Sequence, residues 1–251
     1  MKLGTLSFVV TGHVGVLSLR RPEARNAMNL AMCDELCEVF ATIGSRDDLR
    51  VVILRADGPA FCSGVDIREL QEKPADWVLA RRNRGLDAFL AIEGCPIPVL
   101  ARVHGAVYGA GAEMAAACDF IVATSDAVFQ WPEALRGAVG ATQRLARAVG
   151  RPMAKELLFS ARKVDAPQAQ ALGLVNRVVQ PEAIDVEIQA IIDGIERCGS
   201  VAVRLIKQAI NDGEHLSRKQ AIDLERSLIE ESMRHDEWRL AVEAFSGNSR
   251  S

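Results

Sequence analysis

The chain has 251 residues, 49% hydrophobic and 25% charged, and its 30 basic residues against 33 acidic ones leave a net charge of −3. That length carries a substantial core, as one large domain or two small ones, and the composition excludes disordered and fibrous chains. A near-balanced charge offers no general field for nucleic acid or an anionic membrane surface, so an anionic ligand has to be caught locally. The richest apolar window, Met114 to Val128, is interrupted by Asp119, Ser125 and Asp126, and falls short of the roughly 18 clean residues of a membrane span. Met1-Lys2-Leu3-Gly4 opens no apolar run with a small-residue cleavage site, so no secretory signal is expected. The cysteines at 33, 37, 62, 95, 118 and 198 form no CxxC pair and read as reduced thiols in a cytoplasmic setting. His13, His104, His215 and His235 show no metal-ligand spacing, and no metal site is expected.

In chain order, Leu6 to Val10 and Val14 to Leu19 are β-rich runs around the turn Thr11-Gly12-His13, which predicts a hairpin. Asn29 predicts a helix cap, because Leu30, Cys33, Leu36, Cys37, Phe40 and Ile43 then recur at three- and four-residue steps up to Gly44. Val51 to Leu54 and Pro98 to Val103 are compact apolar strands whose simplest explanation is burial on both faces. A charged, helix-favouring stretch from Trp77 to Ile92 separates them. Phe120 to Ala123 and Ala127 to Phe129 read as two more strands. From about Thr142 helical periodicity takes over and strands nearly vanish, with no linker to separate two independent domains. The apolar helical positions Ile191, Ile192, Ile195, Leu205, Ile206 and Ile210 predict burial against the β/α region or a partner subunit.

Three segments carry candidate chemistry. Phe61-Cys62-Ser63-Gly64-Val65-Asp66 runs from a strand into a helix start, where Asp66 with Glu69 resembles a capping box. Gly64 permits a tight bend or close approach, and the Val65 N–H sits where negative charge is favoured; a plain strand-to-helix turn is the competing reading. The second segment, His104 to Met114, sets one carboxylate, Glu113, among Ala112 and Ala115 to Ala117. Burial there raises the pKa of a functional acid, unless Glu113 merely complements the positive end of its helix. Gly109-x-Gly111 lacks the third glycine of a dinucleotide fingerprint, Met114 standing in its place. No phosphate loop or nucleophile elbow is present either. The third segment, Trp131-Pro132-Glu133, places a second carboxylate beside a proline. Only the fold can bring Glu113 and Glu133 together, and if it does they suit acid–base work on a water and a carbon.

Arg21-Pro22-Glu23-Ala24-Arg25-Asn26-Ala27-Met28-Asn29, Phe61 to Asp66, Gly105 to Glu113, Trp131-Pro132-Glu133 and Ala171-Leu172-Gly173-Leu174-Val175-Asn176 resemble, in order and interval, the signatures of the crotonase (enoyl-CoA hydratase/isomerase) superfamily. The resemblance implies an α/β fold: a crotonase-like ββα spiral core, here 1–195, and a dependent helical C-terminal trimerisation region, 196–251, in homotrimers or homohexamers. It implies an acyl-CoA substrate, with coenzyme A part of that substrate and no separate cofactor. The backbone N–H groups of Val65 and Ala110 are then the donors to the thioester oxygen. Glu113 and Glu133 are the pair that family hydratases use on water and the α-carbon proton, whereas isomerases of the family usually keep only the counterpart of Glu133. The backbone around Arg25 and Ala27 is implied against the pantetheine and nucleotide, and Ser63, Gly64, Asp66 and Ile67 around the adenine. Arg25 either meets a phosphate or is simply solvated, and Phe245 either reaches the nucleotide pocket or packs the last helix. Two departures bear on the substrate: the loop Gly137 to Ala141 is about three residues shorter than in family hydratases, and Ala110 stands where glycine is commoner. An isomerase, a decarboxylase, a C–C lyase or a noncatalytic acyl-CoA-binding protein are the competing readings.

Overall fold

The computed structural model describes residues 3–248, with side chains over 3–243. β1 (Leu6–Thr11) and β2 (Val14–Leu19) make the expected hairpin, antiparallel with Leu6 opposite Leu19. The side chain of Asn29 accepts the Met32 N–H at 3.0 Å and caps α1 (Leu30–Gly44), which buries Met32, Cys33, Leu36, Val39, Phe40 and Ile43. That satisfies one of the donors a helix start leaves unpaired. β3 (Val51–Ala56), α2 (Ala75–Glu93), β4 (Val99–Val103), β5 (Ala106–Tyr108), α3 (Ala110–Ala116), β6 (Phe120–Thr124) and β7 (Val128–Gln130) follow. Then come α4 (Thr142–Val149), α5 (Arg151–Ser160), β8 (Val164–Asp165), α6 (Ala166–Ala171), β9 (Arg177–Val179), α7 (Ile184–Glu196), α8 (Ser200–Gly213), α9 (Arg218–Ser232) and α10 (Glu237–Asn248).

One sheet has the order β1-β2-β3-β4-β6-β9, parallel from β2 onward, and a second has the order β5-β7-β8. Parallel neighbours require crossovers, and these lay helices over both faces of the larger sheet. α1 and α2 pack with Leu17, Val52, Leu54 and Ala101 on one side. On the other, Val51, Ile53, Leu100 and Val122 meet Ile184, Ile188 and Ile192 of α7. Burial on both faces explains why β3 and β4 read as continuous apolar runs rather than alternating ones.

Beyond Thr142 strands nearly vanish, as expected: only β9, which extends the large sheet with Val122 opposite Arg177, and β8, which pairs antiparallel with β7, remain among the described residues. Strands of three and two residues are too short to carry a period, and only their partners define them. One expectation is corrected: Asp66 does not open a capping box. It accepts the Arg68 N–H at 3.3 Å at a single 3-10 turn, Ile67–Leu70, and the next helix waits until Ala75. Glu69 instead turns away to accept the Leu30 N–H at the start of α1, at 2.8 and 3.0 Å.

The apolar C-terminal positions divide. Ile192 is buried and Ile191 and Ile195 pack beside it, while Ile206 and Ile210 of α8 and Ile222 and Ile229 of α9 are exposed. α8 is held to the sheet region by polar ties, Lys207 to Asp119 at 2.7 Å and Arg204 to Asp47 at 3.1 Å. Among the described residues, no helix is long and apolar enough to cross a membrane.

Candidate active site

Two separate turns are stitched together by their own backbone. Residue 60 bridges residue 105 and residue 62 bridges residue 107; the Cys62 N–H donates to the Ala106 carbonyl at 3.1 Å and the Tyr108 N–H to the Cys62 carbonyl at 2.9 Å. At Gly111 a Cβ would lie 2.4 Å from the Cys62 carbonyl oxygen, so only glycine lets α3 start this close. At Gly64, φ is +103° and a Cβ would lie 3.1 Å from the Tyr108 carbonyl oxygen and 4.0 Å from the Ala110 nitrogen. The residue preceding Val65 therefore abuts Ala110.

This stitching leaves two amides over. The Met28 N–H donates to Gly64 and the Asp66 N–H to Met28, so the bridge uses the groups on either side of the Val65 N–H. Ala110 is the first residue of α3, ahead of the ladder that begins with the Glu113 N–H on the Gly109 carbonyl at 2.9 Å. Among the described residues neither the Val65 nor the Ala110 N–H has a protein acceptor.

The two carboxylates meet at the same place. Glu113, on the first turn of α3, is 9% exposed. One of its oxygens accepts from the Arg144 guanidinium at 3.1 Å and the other from the Ala141 N–H at 3.2 Å. Glu133 follows β7 and Trp131-Pro132. A Cβ on Gly109 would lie 2.8 Å from its Oε1 and one on Gly140 3.3 Å from its Cγ, which wedges the side chain between the residue before α3 and the loop before α4. Its Oε2 is buried without a protein partner. Burial pushes both carboxyls above the usual carboxylate range. For Glu113 the main opposing influence is the Arg144 charge. For Glu133 its own backbone N–H opposes, as do Arg136 and Arg82, while the like charge of Glu113 adds to the rise. A cleft of about 990 Å³ between α2, α4 and α8 touches Glu93 and Arg144, but neither Glu113 nor Glu133 lines it.

The remaining candidates lie around the Val65 turn. Arg25 has a left-handed backbone, φ +49°, and an exposed side chain, and its carbonyl accepts the Ser63 N–H at 3.0 Å. Ala27 is buried and its carbonyl accepts from Arg21. Gly64 is buried; the Asp66 carboxylate is occupied by Arg21 at 2.9 Å, and Ile67 is 54% exposed. The side chain of Phe245 lies outside the described residues. Sequence reasoning missed Asn26, which is fully buried with φ +53° and whose amide donates to Asp57 and Ala60 at 2.8 and 2.9 Å. Its tolerance of left-handed backbone was the available signal. It also missed Arg144 and Glu93, for which no local signal exists.

Two main-chain donors without a protein acceptor lie beside one buried and one half-buried carboxyl, an arrangement that can take negative charge on a carbonyl oxygen while protons move at adjoining atoms. The model for the enoyl-CoA hydratase/isomerase family matches residues 10–250. A crotonyl-CoA hydratase of Syntrophomonas wolfei is 37% identical over 216 residues, 84% of this chain and 83% of its own. A Rhodococcus jostii (7aS)-7a-methyl-1,5-dioxo-2,3,5,6,7,7a-hexahydro-1H-indene-carboxyl-CoA hydrolase is 38% identical over 193 residues, 76% and 75% of the two chains. Among solved structures, the enoyl-CoA hydratase of Bacillus anthracis superposes with a TM-score of 0.94 at 30% identity, covering 98% of this chain and 97% of that one. A Thermobifida fusca structure assigned to enoyl-CoA hydratase, in complex with acetoacetyl-CoA, gives 0.83 at 27% identity over 92% and 95%. The chain belongs to the enoyl-CoA hydratase/isomerase family, the crotonase superfamily, and has its fold.

Proposed function

We propose that this protein adds water across the double bond of a trans-2-enoyl-CoA, and the reverse. The observation that carries the reading is the convergence of two acids at Gly109, whose carbonyl accepts the N–H of buried Glu113 and whose Cα faces the half-buried side chain of Glu133. In this reading the thioester oxygen sits between the N–H groups of Val65 and Ala110. Glu113 takes a proton from water, whose oxygen bonds to the β-carbon. The π electrons move onto the thioester oxygen as an enolate, and Glu133 delivers a proton to the α-carbon as the carbonyl re-forms. One proton leaves water for Glu113 and one leaves Glu133 for carbon, and exchange with solvent then takes the proton from Glu113 and restores one to Glu133, so that the net change is the addition of one water. Burial, which raises the proton affinity of Glu133, favours the proton-donating form of this acid. Losing one donor to an oxyanion typically costs about 3–4 kcal/mol, and because both donors are main-chain groups no side-chain deletion removes them.

The coenzyme is read along the backbone at Arg25 and Ala27 and the turn Ser63, Gly64, Asp66 and Ile67. Ile67 is exposed beside it, and the acetoacetyl-CoA bound by the T. fusca relative supports the ligand class. Because the Asp66 carboxylate already pairs with Arg21, its part falls to the main chain. The division into a core, 1–195, and a C-terminal helical region, 196–251, is read with it, as are a cytoplasmic location and assembly into homotrimers or homohexamers. The exposed isoleucines of α8 and α9 and the unpaired cysteines support these last points.

Incubation with a panel of enoyl-CoA thioesters of different chain lengths, followed by mass spectrometry and absorbance, tests the reaction. Gain of one water with loss of the conjugated enoyl absorbance is expected. A moved double bond at constant mass makes it an isomerase, release of free coenzyme A a hydrolase, and tight binding without turnover a binding protein. Light scattering on the purified chain reads the assembly.

A further inference from the structure

Glu113 is the better held of the two acids, and its hold comes from a residue to which the proposed reaction assigns nothing. Arg144 stands in the first turn of α4 and is only 11% exposed. Its Nε and Nη2 donate to the two oxygens of Glu93, at 2.9 and 2.5 Å, and its Nη1 donates to Glu113 at 3.1 Å. The guanidinium lies 5.5 Å from the centre of the Phe89 ring. Phe89 and Glu93 are four residues apart at the end of α2 and so share one face of that helix. A guanidinium is planar and its donors keep fixed directions, so clamping two of them on Glu93 also aims the third.

We propose that Arg144, fixed by Glu93 and Phe89, is a positioning residue that sets the orientation of Glu113 and faces it with a positive charge for the water-activating step. The inference rests on the reading of Glu113 given above. α4 and the residue before it hold both oxygens of Glu113, one through Arg144 and one through the Ala141 N–H. The groups whose charges bear on Glu113 are Arg144 from α4, Glu93 from α2, and Glu133 from the loop after β7, which repels it. Arg144 is the cation among them. Without it Glu113 faces two carboxylates, and burial is opposed only by the Ala141 N–H. A lysine in its place supplies a point charge without the fork.

The test is a set of variants, Arg144→Met, Arg144→Lys and Glu93→Gln, read in three ways: the pH profile of enoyl-CoA hydration, the affinity for unreactive butyryl-CoA, and carboxyl NMR of glutamate-labelled protein. For Arg144→Met, kcat at neutral pH is expected to fall about 10- to 100-fold, with butyryl-CoA affinity within about threefold of the parent. The acid limb of the profile moves to higher pH, since removing the cation makes Glu113 hold its proton more tightly. Arg144→Lys restores most of the limb but not kcat. Glu93→Gln leaves the cation unclamped and lowers kcat less. Arg144→Met with kcat within twofold and an unmoved limb overturns the proposal. So does a lower kcat with the Glu113 titration unchanged, which marks a structural role alone. If the parent hydrates no enoyl thioester, the functional reading falls. The NMR comparison still decides this inference, because equal Glu113 titration in the parent and in a folded Arg144 variant refutes it.

Discussion

The two walls of the candidate site are built in opposite ways. On the α3–α4 side, Glu113 has both oxygens engaged, and its arginine is anchored in turn to Glu93 at the end of α2. On the loop side, Glu133 has a buried oxygen with no protein partner, and its loop carries Leu135 and Val139 exposed at 69% and 84%. The difference teaches how one fold gives two identical side chains different work. Burial raises the proton affinity of both, but the held carboxylate has a cation and an N–H that oppose the rise and fix its direction, while the other keeps one buried oxygen that no protein group engages. An unsatisfied buried acid is a cost that folding alone does not explain.

The largest break in that comparison comes from removing either acid. Glu113→Gln and Glu133→Gln are each expected to lower hydration by about 10²- to 10⁴-fold, read as kcat with crotonyl-CoA. If both variants stay within a few-fold of the parent, the assignment of the pair is wrong.

The donors behave differently, because they belong to the main chain. Gly64→Ala forces a side chain into a φ of +103° and to 3.1 Å from the Tyr108 carbonyl oxygen. It should displace the Val65 N–H and cost about 10²- to 10³-fold in kcat. Val65→Ala keeps the N–H and should change kcat by no more than a few-fold. Equal effects from the two substitutions would point to side-chain packing rather than the amide.

Stability separates the two walls on a smaller scale. Both acids have folded-state pKa values raised by burial, so the folded state binds their protons more tightly than the unfolded chain does. Their contribution to stability is therefore most favourable below the unfolded value of about 4.3 and is lost as pH rises through the raised folded values. Glu133→Gln removes a carboxyl whose ionisation burial opposes and should raise Tm at pH 7 by about 2–4 °C, a gain that shrinks near pH 4. Glu113→Gln should show no such gain, because it strips Arg144 of one partner. Calorimetry at the two pH values checks both signs, and matching gains in the two variants would erase the asymmetry.

Where structure follows from neighbours in the chain, the sequence was sufficient. The Asn29 cap, the hairpin turn and the apolar runs of β3 and β4 all declare themselves within a few residues. The two glutamates could be picked out one by one, Glu113 by its small apolar neighbours and Glu133 by the Trp131-Pro132 context, while the family resemblance supplied the pairing. What escaped is what depends on distant partners. β9 exists because β6 offers it an edge, and Glu69 caps a helix 39 residues away. Arg144 reaches 31 residues back to Glu113 and 51 back to Glu93. A capping box is a local inference, and it failed where a buried arginine, Arg81, and an open helix end competed for the same carboxylate.

A crystal structure with a bound, unreactive acyl-CoA thioester tests the central claim most directly. The thioester oxygen is expected about 2.7–3.1 Å from both the Val65 and Ala110 nitrogens, with the carboxyl groups of Glu113 and Glu133 on the same side of the acyl chain and next to its α- and β-carbons. A thioester oxygen bound elsewhere, or the two acids facing different cavities once the ligand is in place, would contradict it.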